Sequence, residues 1–192
     1  DGVALTKFLY WFKNNKNEIT EKKIEKKLEN FRKKSKNYLY PSFDTIAGSG
    51  PNGAIIHYKS TNQTNRNLKK NDILLIDSGG QYKWGTTDIT RTICSGNVNY
   101  RVKDNFTRVL QGHIAVIKSD LNKKCNGHLI DKLARRPLKN VGLNYSHGTG
   151  HGVGFFLNVH EGPQSISKFN NVRLQEGMVL SNAVSYTHLR AH

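Results

Sequence analysis

The segment HGTGHGVGFFLNVHEGP, from His147 to Pro163, gathers His147, His151 and His160, three of the chain's eight histidines, ahead of Glu161. Imidazole both ligates transition metals and exchanges protons near neutral pH. His147 and His151 stand at i, i+4, the spacing that lets two histidines share a helix face in H-E-x-x-H zinc sites. The Glu of that motif is absent, and Gly148, Gly150 and Gly152 oppose a helix. An extended or turning backbone is expected instead. Any one of these histidines is more often a structural hydrogen-bonding residue than a ligand, so a metal reading needs carboxylates from elsewhere.

LLIDSGGQYKWGTTDITRTI supplies them, with Asp77 and Asp88 eleven residues apart. NDILLID predicts a buried strand and GTTDITRTI its alternating partner. A hairpin centred between Tyr82 and Lys83 would set the two aspartates directly opposite, about 4.5–5.5 Å apart. Like charges at that range weaken a sheet unless one protonates or a cation lies between them. Thr90 and Thr92 share the face of Asp88, with Ile89 and Ile93 on the other, so the carboxylate is expected in a polar cavity. DSGG alone is good turn chemistry; the second aspartate moves the balance towards a metal. Carboxylates with one imidazole suit Mn or Co, with Zn admissible, and the other histidines would face substrate. No G-x-S-x-G supports a serine nucleophile, and GSGPNG and HGTGHG lack a P-loop lysine.

The elements that must carry these residues are mixed. A first helix is predicted over Ala4–Asn15, followed by a lysine-rich helix to about Lys36 with Ile24, Leu28 and Phe31 at helical spacing. Loop signals at Gly48, Gly50, Pro51 and Gly53 precede a short apolar strand leading into His57. Helical periodicity returns after Tyr100, with Val102, Phe106, Val109, Leu110, Ile114 and Ile117 on one stripe. A further helix over His128–Arg136 should stop or kink at Pro137. Strand-like segments follow around GVGFFLNVH and GMVLSN. Without strict βαβ alternation, the fold class is α+β.

At 192 residues the chain suits one domain with a core of its own. The formal charge of +16 raises nucleic acid as a partner. Ten Lys/Arg against four Glu fall between Lys13 and Lys36, however, with no aromatic interleaving of the kind a stacking platform uses. A solvated helix face and a general Lys/Asn bias are the better reading, and nucleic acid is disfavoured. No apolar run has membrane-spanning length. The start shows no signal-peptide pattern and no initiator Met, so the chain is expected to begin inside a longer one. Cys94 and Cys125 offer no disulfide framework or C-x-x-C pair, which makes a reducing, cytoplasmic compartment the default. Sequons at Asn62, Asn105 and Asn144 carry little weight without a secretory signal.

Taken in order, PNGAIIHY, LLIDSGGQYKWGTTDITRTI, GHIAV, GHLID, HGTGHGVGFFLNVHEGP and GMVLSN resemble the catalytic domain of the eukaryotic-type cytosolic Xaa-Pro aminopeptidases (aminopeptidase P). These belong to the pita-bread metallopeptidases, with methionine aminopeptidase, prolidase and creatinase. The resemblance runs from about Gly2 to Asn182. It implies a pita-bread fold and hydrolysis of the bond between an N-terminal residue and proline. It further implies two divalent ions, Mn above Co or Zn, with Asp77 on one metal, Asp88 bridging and His151 on the other. His57, His147 and His160 would line the substrate site. Peptides with proline second are the implied partners, and the parent protein is expected to be a homodimer.

The resemblance has one departure. The family continues GMV-x-x-x-Glu-Pro-Gly-Tyr-Tyr with a ligating Glu, and this chain has Ala183 there, followed by VSYTHLRAH. The family's last bridging Glu falls beyond His192. Residues 1–182 are therefore read as a partial catalytic domain, incomplete at its C-terminus, and 183–192 as a foreign tail. With two glutamate ligands missing, the chain as it stands is expected to be nearly inactive. The competing class is a non-catalytic protein on the same fold, using its basic surface for RNA or acidic partners.

Overall fold

The computed structural model describes residues 1–15, 18–120, 125–156 and 158–186. Its elements are α1 (Gly2–Asn14), α2 (Glu21–Arg32), β1 (Tyr38–Pro41), β2 (Ile46–Ser49), a 3-10 turn (Gly50–Ala54), β3 (Ile73–Ser78), β4 (Gly80–Tyr82), β5 (Gly85–Thr86), β6 (Ile89–Cys94), α3 (Tyr100–Ile117), α4 (Gly127–Lys139), β7 (Gly150–His151) and β8 (Ser165–Ile166). Every paired strand is antiparallel, which fits the α+β expectation. Contacts divide the chain into two units. One holds Asp1–Val98 with Phe155–Val159, the other Asn99–Gly154 with His160–Thr187. Among the described residues, no helix is long and apolar enough to cross a membrane.

In the first unit, Thr20 caps α2 by accepting from the Lys23 amide at 3.2 Å. Ile24 and Leu28 then meet Leu5 and Phe8 of α1, and Ala47, Leu74 and Ile76 of the β2–β3–β6 sheet. Phe8, Ile24, Leu28, Leu74 and Ile76 are fully buried, and each contributes about 1.5–3 kcal/mol. Side chains alternate along a strand, so Leu74, Ile76 and Ser78 point at the helices and Ile73, Leu75 and Asp77 away from them. The lysine-rich helix ends at Arg32, short of Lys36. No strand leads into His57: after the 3-10 turn, Ile55 and Ile56 are exposed in a turn.

The second unit is centred on the crossing of α3 and α4. The helices are in tight contact at Gly112, where a Cβ would lie 2.5 Å from the Ala134 carbonyl. That contact turns α3 from its expected orientation. Asn105 and Gly112 are its buried positions, while Phe106, Leu110, Ile114 and Ile117 of the anticipated stripe are exposed. Pro137 does not stop α4, which runs on to Lys139. The amide that proline lacks would have bonded the carbonyl of Leu133, an exposed residue, and Leu138 just beyond is fully buried. The two strand-like segments shrink to β7, paired with β8, and a bridge between Gly152 and Leu180.

The half-buried Tyr38 and the buried Tyr82 and Tyr145 hold their phenols above the ordinary value of 10.0, burial being the main cause for each. A raised folded pKa gives stability that is complete below the unfolded pKa of about 10 and is lost as pH rises through the folded value. The melting temperature should therefore hold up to about pH 10 and fall from about pH 10 to 12. An unchanged melting temperature over that window would contradict this.

Candidate metal and substrate site

Asp77, Asp88 and His57 belong to the first unit; His147, His151 and His160 belong to the second. The two aspartates are not directly opposite. Asp77 pairs with Thr90 and Ser78 with Ile89, leaving Asp88 one residue ahead of β6. The cause is the turn. Tyr82 pairs with Gly85 across a two-residue Lys83–Trp84 connection, one residue later than the expected centre, and β4 turns aside to pair with β1. Asp88 lies one residue outside the pairing; strand alternation carried back from Thr90 would put it on the face of Asp77 as a diagonal neighbour, about 7–8 Å away. Thr90 donates to Asp77 Oδ1 at 2.8 Å and orients that carboxylate.

Two hard oxygen donors on one face suit the carboxylate half of a Mn-type centre. Among the described residues, no group of three or more His, Cys, Asp or Glu side chains is gathered as a metal site. The first unit contributes two of the expected carboxylates, Asp77 within β3 and Asp88 just ahead of β6.

The histidine segment of the second unit is held rigidly. A Cβ at Gly150 would lie 2.1 Å from the Ser181 carbonyl, and one at Gly152 would lie 1.9 Å from that of Glu161. Only glycine permits these approaches. They let Ser181 N donate to His151 O and Ala183 N to Thr149 O, each at 2.7 Å, and Glu161 N to Gly152 O at 2.8 Å. The rings of His151 and His160 meet edge to face with centroids 4.0 Å apart. His151 Nδ1 lies 2.8 Å from Gly152 O, and His147 Nδ1 lies 2.7 Å from Gly148 O. A carbonyl only accepts, so Nδ1 carries the hydrogen in both, and in the neutral form of each ring the lone pair is on Nε2.

Arg135 sits beneath this segment. It donates to Asp131 Oδ2 at 2.8 Å, to Tyr145 O at 2.5 Å and to His147 O at 2.7 Å, and its guanidinium lies 3.9 Å from the centre of the Tyr145 ring. Thr149 donates to the other Asp131 oxygen.

His57 has φ 54°, in the left-handed region, and is exposed. Its loop is tied down by Glu21, a fully buried carboxylate at the start of α2. Glu21 accepts from Ser49 N at 2.7 Å, Ser49 Oγ at 2.8 Å, Tyr58 OH at 2.8 Å, and Arg66 N and Asn52 Nδ2 at 3.1 Å. The helix N-terminus also favours its charge. Sequence reasoning missed Glu21, Arg32, Asp131 and Arg135. The signal was available: Glu21 and Arg32 continue the Ile24–Leu28 stripe at helical spacing, as Asp131 and Arg135 do with Ala134 and Leu138.

The model of metallopeptidase family M24 matches residues 1–190. A probable Xaa-Pro aminopeptidase P of Laccaria bicolor is 47% identical over 97% of this chain and 30% of its own length. Xaa-Pro aminopeptidase 1 of Dictyostelium discoideum is 46% identical over 97% of this chain and 31% of its own. The crystal structure of the Caenorhabditis elegans X-prolyl aminopeptidase, described as a cytosolic enzyme with a di-nuclear active site, superposes with TM-score 0.87 at 37% identity. It covers 93% of this chain and 30% of that one. The fold is thus of the pita-bread type, and the chain spans about 30% of the length of its curated relatives.

Replacing Glu21 by Ala leaves several buried donors without an acceptor. Glu21→Ala should cost about 3 kcal/mol or more in urea unfolding. A loss under about 1 kcal/mol would show that the loop does not depend on this carboxylate.

Proposed function

The chain belongs to metallopeptidase family M24, and on that premise we propose that the whole protein is a cytosolic, homodimeric, metal-dependent aminopeptidase acting on peptides with proline second. What supports this is Asp77 on β3, with Asp88 just ahead of its partner strand β6, in a chain matched by the family model over residues 1–190. Residues 1–182 are its partial catalytic domain. Ala183–Tyr186 are described, with Val184 buried against Ala134 and Leu138; the rest of the proposed foreign tail, 187–192, lies outside the described residues.

Asp77 and Asp88 would hold two divalent ions of Mn type from the carboxylate side, and His151 would add Nε2. Bound there, such ions lower the pKa of a water and stabilise the oxyanion formed at the scissile carbonyl. This chain's own groups do the rest. Thr90 orients the Asp77 carboxylate, the Gly152 carbonyl sets the His151 tautomer, and the Arg135 guanidinium fixes the backbone at His147. His57, His147 and His160 would line the substrate site, with His57 and His160 placing the Xaa-Pro bond and handling protons.

Ala183 offers no carboxylate where the family resemblance implies a ligating Glu, so this chain would hold metal weakly and turn over slowly. A basic surface serving RNA has less support. Lys27 lies 5.1 Å from the centre of the Trp11 ring, and Lys34 lies 5.3 Å from that of Phe31, so part of the lysine face is engaged within the chain.

The test is hydrolysis of an Xaa-Pro peptide and its Xaa-Ala counterpart in Mn²⁺, by this chain and by the protein extended to the length of its relatives. The longer protein should cleave only the Xaa-Pro peptide, with this chain at least about a hundredfold slower. Equal cleavage of both peptides would overturn the substrate assignment. Equal rates from the two proteins would overturn the weak-site reading.

A further inference from the structure

Asp1 and Arg32 form an ion pair whose side chains are 1% and 0% exposed. Such a pair is costly to bury unless its remaining hydrogen-bonding capacity is used. Arg32 Nε donates to Asp1 Oδ1 at 2.9 Å and Nη2 to Oδ2 at 3.1 Å, a two-pronged match. Nη2 also donates to Ser78 Oγ at 3.0 Å, which leaves only the buried Nη1 of the guanidinium without a partner among the described residues. Asp1 accepts two further hydrogen bonds, from Tyr82 OH at 3.1 Å and from Thr87 Oγ1 at 2.7 Å. Asp1 stands at the N-cap of α1, yet its side chain makes no capping bond there. Its carboxylate is committed to this cluster instead.

The placement of the two hydroxyls gives the cluster its meaning. Ser78 directly follows Asp77, and Thr87 directly precedes Asp88. Ser78 points to the helix side of the sheet, opposite to Asp77. Thr87 is gripped twice more on the same side of the turn, since its amide donates to Gly80 O at 3.0 Å and its Oγ1 accepts from Gly80 N at 2.9 Å. One ion pair therefore holds, from behind, the residue next to each of the two aspartates. Packing alone does not require this. Ser78 and Thr87 could be apolar and still fill their space, but they would then lose the bonds that tie β3 and the segment before β6 to one rigid group.

We propose that the buried Asp1–Arg32 pair is a positioning device that sets the spacing and aim of the Asp77 and Asp88 carboxylates, acting through Ser78 and Thr87. This rests on the reading of those aspartates as metal ligands. Asp1, Arg32, Ser78 and Thr87 touch neither metal nor substrate; they act through the backbone of their neighbours. Two like charges drift apart when nothing restrains them, and a hard divalent cation must then draw them together at a cost in affinity. A prearranged pair removes that cost.

The discriminating variant is Thr87→Val, which keeps the shape and removes one hydroxyl, with Thr87→Ser as its rescue. Two readouts are needed on this chain. The first is amide hydrogen exchange without metal at Ser78 and Ile89, the cross-strand pair beside the two aspartates. The second is Mn²⁺ affinity by electron paramagnetic resonance, with Asp77→Asn as the ligand control. The proposal expects Thr87→Val to speed exchange at Ser78 and Ile89 by about tenfold with α1 and α2 amides unchanged. It also expects Mn²⁺ binding weaker by about tenfold, and Thr87→Ser to restore both. Unchanged local exchange, or exchange that rises equally throughout the first unit, would overturn it. So would Mn²⁺ affinity that ignores Thr87 while depending on Asp77. If Mn²⁺ binding is the same with and without Asp77, the metal reading fails, and the exchange measurement alone decides whether the clamp exists.

Discussion

Antiparallel pairing of β3 with β6 is the constraint on which the rest depends. Asp77 opposite Thr90 puts that aspartate on the face away from Phe8, Ile24 and Leu28, and the same alternation would carry Asp88 there. A slip of one residue would turn Asp77 into that apolar core, where a bare carboxylate is too costly to keep, and expose Leu74 and Ile76. Apolar burial therefore sets which face the carboxylates occupy, and polar bonds set how they stand on it. Thr90 acts from the front of the sheet and the Asp1–Arg32 cluster from behind.

The second unit uses a different device for the same end. Its histidines lie on a segment whose glycines admit neighbouring backbone at distances no side chain would tolerate. Glycine usually adds freedom, but here it permits close contact, and the hydrogen bonds that follow hold His151 from both its amide and its carbonyl. The buried Arg135–Asp131 pair then fastens the carbonyl of His147. In both units, a buried ion pair from helices supports backbone that carries candidate ligands.

Much of this was legible in the sequence, for physical reasons. Buried strands and amphipathic helices announce themselves by periodicity, so β3, β6, α1 and α4 lay close to expectation. The glycine-rich histidine segment was correctly read as non-helical, since glycine opposes a helix at every second position. What failed depended on tertiary contact. The Asp77–Asp88 register moved because β4 pairs with β1, and no local pattern encodes that partner. The buried face of α3 differs from its apolar stripe because Gly112, poor in apolar surface, is packed tightly against α4. Pro137 was overweighted because a buried neighbour can carry a helix past it. Glu21 and Arg32 were hidden among lysines, although their helical spacing put them on the buried stripe.

The central claim is that Asp77 and Asp88 form the carboxylate half of a divalent-metal site. It is tested most directly by a crystal structure grown with Mn²⁺ and an anomalous difference map collected above the manganese edge. The account predicts a peak within ligand distance, about 2.0–2.6 Å, of carboxylate oxygens from both aspartates. A map with manganese elsewhere, or with ordered aspartates and no peak between them, would contradict it.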